Sequence, residues 1–465
     1  MKTNIIFILI DDLGWRDLGC FGSVFYETPV LDRFCREGMQ FTNAYASCPV
    51  CSPTRASIMS GRYPARIGLT NYLKGKDWGK LLEVPFTRFL PLEEKSIAST
   101  LRESGYATWH IGKWHLGDEP YWPEKHGFDI NIGGCNMGAP WHSYWSPWKI
   151  PTLENGKDGE YLTDALTDHS INLMRKRDKN KPFFLNLCHY AVHTPIQAHE
   201  KDIDYFKEKA KRLGLDKRTA IVEGELFPGG HMTGKRIKRR IVQSDPVYAA
   251  MIKNMDWNIG RVLDEVKNQG IEEETIILFT SDNGGESSDG GPTCNKPLLE
   301  GKGWMYEGGT RIPQIIKWDG HIRPGSVCNE ITTSTDFYPT LLECAGLPLL
   351  PEQHKDGVSI APLLLGKPLE KPFSRGAIYW HYPHYGNQGG TPGCSVRKGK
   401  YKLIRFFEDD RLELYDLEND LSERDELALA MPDITTEMNS LLTDWLNDVS
   451  AIIPDHNPEW KSPGA

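Results

Sequence analysis

The apolar run NIIFILI at 4–10 stops abruptly at two carboxylates, Asp11 and Asp12. That pattern predicts a buried β-strand with a polar carboxyl end. Similar short runs recur at YATWHIG (106–112), KPFFLNLCHY (181–190), TIILFTSD (275–282) and RIPQIIKW (311–318). Between them lie stretches with helical periodicity, at 92–105, 164–177 and 245–270. Strands alternating with helices predict an α/β fold, with a large, mostly parallel or mixed sheet and helices on both faces. Beyond residue 365 the pattern changes to GAIYWHY, GCSVRKGKYKLIRFF and RLELYDL, followed by a helical stretch near 433–448. Short strands joined by turns predict a smaller C-terminal α+β domain with an antiparallel sheet. The expected division is 1–365 and 366–465.

Size supports that division, because 465 residues exceed what one ordinary core holds. Composition narrows the class further. The chain is 39% hydrophobic and 25% charged, and no apolar run approaches the roughly 20 residues of a membrane span. A net charge of -9 argues against nucleic acid as a partner. The ten cysteines lack the spacing of a disulfide scaffold and are expected to be mostly buried thiols. Lys2 and the run after it resemble the start of a secretory signal, but the run is short and no cleavage site follows. The compartment stays open: periplasmic or secreted if a signal preceded Met1, cytoplasmic if the chain is complete.

In open parallel sheets ligands sit at the carboxyl ends of the strands. Four such ends carry polar clusters: DDLG (11–14), GKWHLG (112–117), HYAVHTP (189–195) and SDNGG (281–285). Asp11, Asp12, Asp282 and Asn283 form an oxygen-only donor set, suited to calcium or magnesium and not to zinc. Any one of these aspartates, taken singly, is better read as a helix cap or turn residue, and it is four oxygen donors at two strand ends that point to a metal. A further signal is CPVCSPTRAS at 48–57, with two cysteines three positions apart. The pair alone fits a redox dithiol, half a zinc site or two unrelated thiols.

The residues after Cys51 decide between these. CSPTRAS resembles the C-x-P-x-R signature of the type I sulfatases of the alkaline phosphatase superfamily, and the likeness continues through 105–117, HTP (193–195), SDNGG, GKGWMYEGGTRIP (301–313) and TDFYPTLLECAGLP (335–348). The resemblance implies an alkaline-phosphatase-like fold and a sulfuric ester hydrolase. It implies that a separate maturation enzyme oxidises Cys51 to formylglycine (3-oxoalanine), leaving Cys48 to packing. It implies a Ca2+ ion held by Asp11, Asp12, Asp282, Asn283 and the modified Cys51. Arg55 resembles the residue that holds the formylglycine, and Lys113 and Lys302 the pair that clamps sulfate oxygens. His115 resembles the base that takes a proton from the hydrated aldehyde, and His193 the acid that protonates the leaving oxygen, with reversed or shared roles left open by the resemblance. The chemistry suits a sulfate ester, which needs an oxygen nucleophile, neutralised oxygens and a protonated leaving group. Two alternatives share the fold: a phosphonate monoester or phosphodiester hydrolase, and an inactive glycan-binding homologue.

Two aromatic stretches bear on the substrate. APWHSYWSPW (139–148) and YWHYPHYGNQGGTPG (379–393) offer faces for a sugar ring, although domain-junction packing accounts for such residues equally well. Trp141, His142, His384 and Tyr385 are the expected substrate-binding residues of an exo-acting enzyme on a sulfated saccharide. The second stretch resembles bacterial carbohydrate sulfatases, which implies a terminal O-sulfated galactose or N-acetylgalactosamine. The basic run GKRIKRR (234–240) is expected to be a solvated insertion.

Overall fold

The computed structural model describes residues 3–75, 78–288, 290–366, 373 and 375–460. The first strand, Asn4–Ile10, lies in an eight-stranded sheet. It pairs in parallel with Phe183–Cys188 on one side and Thr275–Ser281 on the other. Phe183–Cys188 continues to Ala107–Gly112, which pairs with Ile130–Ile132. On the other flank, Gln314–Lys317 runs antiparallel to Thr275–Ser281 and to Met39–Phe41, and Ser326–Cys328 closes that edge. The antiparallel strand has a simple cause. After Ser281 the chain stays at the carboxyl end of the sheet, forms the loops over the site and re-enters from that same end, so it must run backwards.

The alternation of side chains along Asn4–Ile10 sorts the core into two layers. Ile6, Ile8 and Ile10 face the helices Pro29–Glu37, Leu162–Lys176, Glu200–Arg212 and Pro246–Asn268. Ile5, Phe7 and Leu9 face Cys51–Ser60, Ile97–Glu103 and Phe337–Cys344. Buried on both faces, the strand reads as a continuous apolar run. The helix expected at 92–105 is shorter, because Ser96 caps it by accepting the Ser99 amide and the residues before the cap form a turn.

The C-terminal part builds an antiparallel sheet of Ile378–Tyr382, Gly393–Lys398, Tyr401–Phe406 and Leu412–Asp416. Helix Pro432–Asp448 packs on it through Met438, Leu442 and Trp445. The division placed at 365 falls beside residues 367–372, outside the described residues. The sheet is tied to the first part by buried polar groups. Trp380 Nε1 donates to the Ala46 carbonyl at 2.7 Å, and Lys402 lies between Glu307 and Glu423 at 2.9 and 3.0 Å. The basic run at 234–240 supplies strand Arg236–Arg240 of a hairpin with Ile221–Leu226. Ile237 is buried with Phe227 and Trp304, so the run is anchored on one face and solvated on the other.

Candidate active site

Sheet register assembles the site. Asn4–Ile10 and Thr275–Ser281 pair without stagger up to Ile10 opposite Ser281, so the next residues, Asp11, Asp12, Asp282 and Asn283, emerge side by side. Gly112 lies opposite Cys188, which brings Lys113 to the same edge. Asp12 and His115 both adopt positive φ, 62° and 59°. Such backbone is unfavourable for residues with a side chain and is held in place by its surroundings. Cys51 opens the fully buried helix Cys51–Ser60, and Arg55 follows one turn later on the same side.

The side chains form one interlocked charge cluster. Arg55 Nε and a terminal nitrogen both reach Asp282 Oδ2 at 2.8 Å, while Nη1 donates to the Lys113 carbonyl at 2.8 Å. Lys113 Nζ straddles both oxygens of Asp11 at 2.9 and 2.7 Å. Lys302 Nζ reaches Asp12 Oδ2 at 2.7 Å, Asn283 Nδ2 donates to Asp12 Oδ1 at 2.8 Å, and His193 Nε2 lies 3.5 Å from Asp12 Oδ2. His115 Nδ1 sits 3.4 Å from Cys51 Sγ.

These neighbours set the protonation states. Burial alone would raise the Asp12 carboxyl, but Lys302 and His193 outweigh it and hold the group below the usual carboxylate range. Burial works against the Lys302 ammonium, yet Asp12 keeps it above the usual lysine range. Burial, then the charges of Lys113 and Arg55, holds His115 well below the ordinary histidine value. Burial and Lys302 lower His193 to about 3 despite Asp12. Burial pushes the Cys51 thiol up, against Lys113 and Lys302.

A hard cation fits this donor set. Ligand atoms of Asp11, Cys51 and Asp282 lie within 4.8 Å of one another. The Oδ1 of Asn283 is buried with no hydrogen-bond partner, an acceptor left available beside them. Carboxylate and amide oxygens suit calcium better than zinc.

Above the cluster opens a cavity of ≈ 400 Å³ that reaches Asp12, Cys51, His115, His193 and Lys302 at its floor. Trp141, 60% exposed, forms part of its wall, its ring 6.3 Å from and perpendicular to that of His193. The other three expected substrate residues lie elsewhere. His142 is exposed and outside the cavity lining. His384 is buried, with Nε2 2.8 Å from Thr70 Oγ1 and its ring edge-on to Phe86. Tyr385 is buried too, its hydroxyl accepting from the Leu81 amide at 3.0 Å and donating to Glu408 at 2.7 Å. The physical reason is position along the loop. The chain leaving Ile378–Tyr382 first passes beneath the segment around 81–86, and only its tip reaches the cavity. That tip carries Asn387 and Gln388, held in a tight turn in which Gly389, at φ 102°, donates to the Gly386 carbonyl at 3.0 Å. Sequence reasoning also missed Tyr72, Lys74, Asn136 and Glu286 in the lining. The glycines flanking Asn387 and Gln388 were the one available signal; the others sit in no motif.

Comparison with known proteins is consistent along the chain. A family model described as Sulfatase matches residues 3–347, and one described as N-sulphoglucosamine sulphohydrolase, C-terminal, matches 299–449. A sulfatase of Formosa agariphila is 31% identical, the match covering 96% of this chain and 89% of the relative. The N-acetylgalactosamine-6-sulfatase of Homo sapiens is 30% identical over 79% of this chain and 67% of its own length. Among solved structures, Ps i-CgsB in complex with k-i-k-neocarrahexaose superposes with a TM-score of 0.76 at 28% identity, covering 99% of this chain and 95% of the other.

Proposed function

The chain belongs to the sulfatase family and is a sulfatase; on that premise we propose that it removes O-sulfate from a terminal galactose or N-acetylgalactosamine by exo attack, with Cys51 matured to formylglycine and calcium bound beside it. The observation that carries this reading is the single chamber described above. A floor that joins Lys302 to the carboxylates of a cation site suits one sulfate, and the walls leave room for about one or two sugar rings, within the usual range of small-ligand pockets. Similarity to the N-acetylgalactosamine-6-sulfatases of Mus musculus and Homo sapiens supports the galactose configuration.

In this reading Asp11, Asp12, Asp282, Asn283 and the modified Cys51 hold the ion. When bound, calcium together with the formylglycine would supply an oxygen nucleophile of lowered pKa. The remaining work falls to this chain's own side chains. Lys302 places ammonium charge on the sulfate oxygens, where a water-poor floor makes it effective, and Lys113, buried against Asp11 outside the cavity lining, adds its charge from beneath. Arg55 fixes Asp282 and the carbonyl of Lys113, and so positions the cluster around Cys51. His115, beside Cys51 Sγ and held neutral, is the base at that position. His193 protonates the leaving sugar oxygen. Burial and Lys302 favour its neutral form, and an incoming sulfate monoanion next to its ring raises its proton affinity.

The experiment has two arms. Peptide mass spectrometry of protein co-expressed with a formylglycine-generating enzyme is expected to find aldehyde at Cys51; full activity from wholly thiol protein defeats the formylglycine reading. Sulfate release is then measured from galactose, N-acetylgalactosamine, glucosamine and fucose monosulfates. Equal rates on all four sugars would overturn the galactose configuration.

A further inference from the structure

Glu286 is a carboxylate in a chamber that must admit an anion. It lies in the cavity lining, partly open to it, on the loop whose Gly285 carbonyl accepts the Lys302 amide at 3.1 Å. No cation is bonded to it among the described residues, in contrast to Asp11, Asp12 and Asp282. Its partners are hydrogen-bond donors that fix it in place. Gln388 Nε2 donates to Oε2 at 2.9 Å and the Ser288 amide donates to Oε1 at 3.1 Å. Gln388 is itself pinned, its carbonyl accepting from Trp304 Nε1 at 3.1 Å. Its side chain also lies over Gly303, where a Cβ would meet Gln388 Oε1 at 2.5 Å.

A rigid acceptor beside the sulfate floor is a poor neighbour for the sulfate itself and a good one for a hydroxyl. A sugar hydroxyl can donate to it; a sulfate ester, acceptor-only and charged, cannot. Resting on the sugar-sulfatase reading above, we infer that Glu286, oriented by Gln388, accepts the ring hydroxyl nearest the sulfated position and thereby excludes rings that carry a second sulfate there. For a galactose-configured ring sulfated at O6 that hydroxyl is the one at C4. The substrate class is therefore the singly sulfated ring. A 4,6-disulfated residue must first lose its 4-sulfate to a separate O-sulfatase.

The test compares sulfate release from N-acetylgalactosamine 6-sulfate and 4,6-disulfate, with products resolved by chromatography. It is run above pH 7, because burial raises the Glu286 carboxyl to about 7, partly offset by Lys302. Wild-type enzyme is expected to cleave the monosulfate at least roughly tenfold faster, the scale of a lost hydrogen bond to a charged group. Glu286→Gln, and separately Gln388→Ala, are expected to bring the ratio toward one. Equal wild-type rates on the two sugars, or a ratio that neither variant moves, overturn the inference alone. Hydrolysis of 4-nitrophenyl sulfate with none of either sugar defeats the reading of the substrate as a 6-sulfated N-acetylgalactosamine, and the inference with it.

Discussion

Replacing Arg55 with methionine isolates the fork at the centre of the charge cluster, because methionine keeps an unbranched stem of similar reach in a fully buried helix. Two guanidinium nitrogens reach Asp282 Oδ2 at 2.8 Å and a third reaches the Lys113 carbonyl at 2.8 Å. Without them the Asp12 amide, at 3.2 Å, is the hydrogen-bond donor left to Asp282 among the described residues. Removing one member of a buried ion pair leaves an uncompensated charge and costs about 3–5 kcal/mol. Arg55→Lys keeps a charge but cannot serve both acceptors at once, and is expected to lose about 1.5–3 kcal/mol. The assay is urea unfolding with chelator and with calcium. Calcium at about 100 times its Kd adds about 2.7 kcal/mol to a protein that binds it only when folded. In Arg55→Met, Asp282 has lost its competing cation, so the calcium increment should equal or exceed that of the wild type. A loss below about 1 kcal/mol in chelator, or a smaller calcium increment in the variant, would refute this account of how Asp282 is balanced.

Three further outcomes are expected. Chelation should abolish sulfate release, calcium should restore it and zinc alone should not; activity in metal-free protein would remove the ion from the mechanism. Burial holds His110, His189 and His381 near about 3. A folded value below the unfolded one, about 6.5, means the unfolded chain binds the proton first. Stability is thus complete above that pH and falls toward about pH 3, by about 1.4 kcal/mol per pH unit for each histidine. His189→Phe should remove one proton from that slope, and an unchanged slope in acid unfolding would contradict it. Trp141→Ala, at an exposed site, should leave stability within about 0.5 kcal/mol while kcat/KM on a sulfated monosaccharide drops roughly 2- to 10-fold; unaltered kcat/KM would detach Trp141 from the sugar.

The contrast between floor and walls explains what the sequence could disclose. Asp11, Asp12, Asp282 and Asn283 follow directly from strands, so their placement needs only the strand pattern and an unstaggered parallel register. Cys51 and Arg55 share a helical turn, again a local relation. The walls have no such rule. His384 and Tyr385 carry the chemistry expected of sugar contacts, yet they sit three and two residues before the tip at 387–388, close enough in sequence to share a loop and far enough in space to be buried under Phe86 and Leu81. Aromatic bulk marks the buried part of this loop, since bulk is also what packs a junction. The glycines that let the tip turn, and Gly303, which lets Gln388 lie over the Lys302 loop, were the informative residues. Glu286 stands between the two cases. It lies three residues beyond Asn283, within reach of the motif, but its orientation depends on a partner 102 positions away, Gln388, and no local pattern encodes that pairing. If Glu286 reads the ring as proposed, substitution at 387–388 changes specificity while the floor at 11–12 and 282–283 stays fixed.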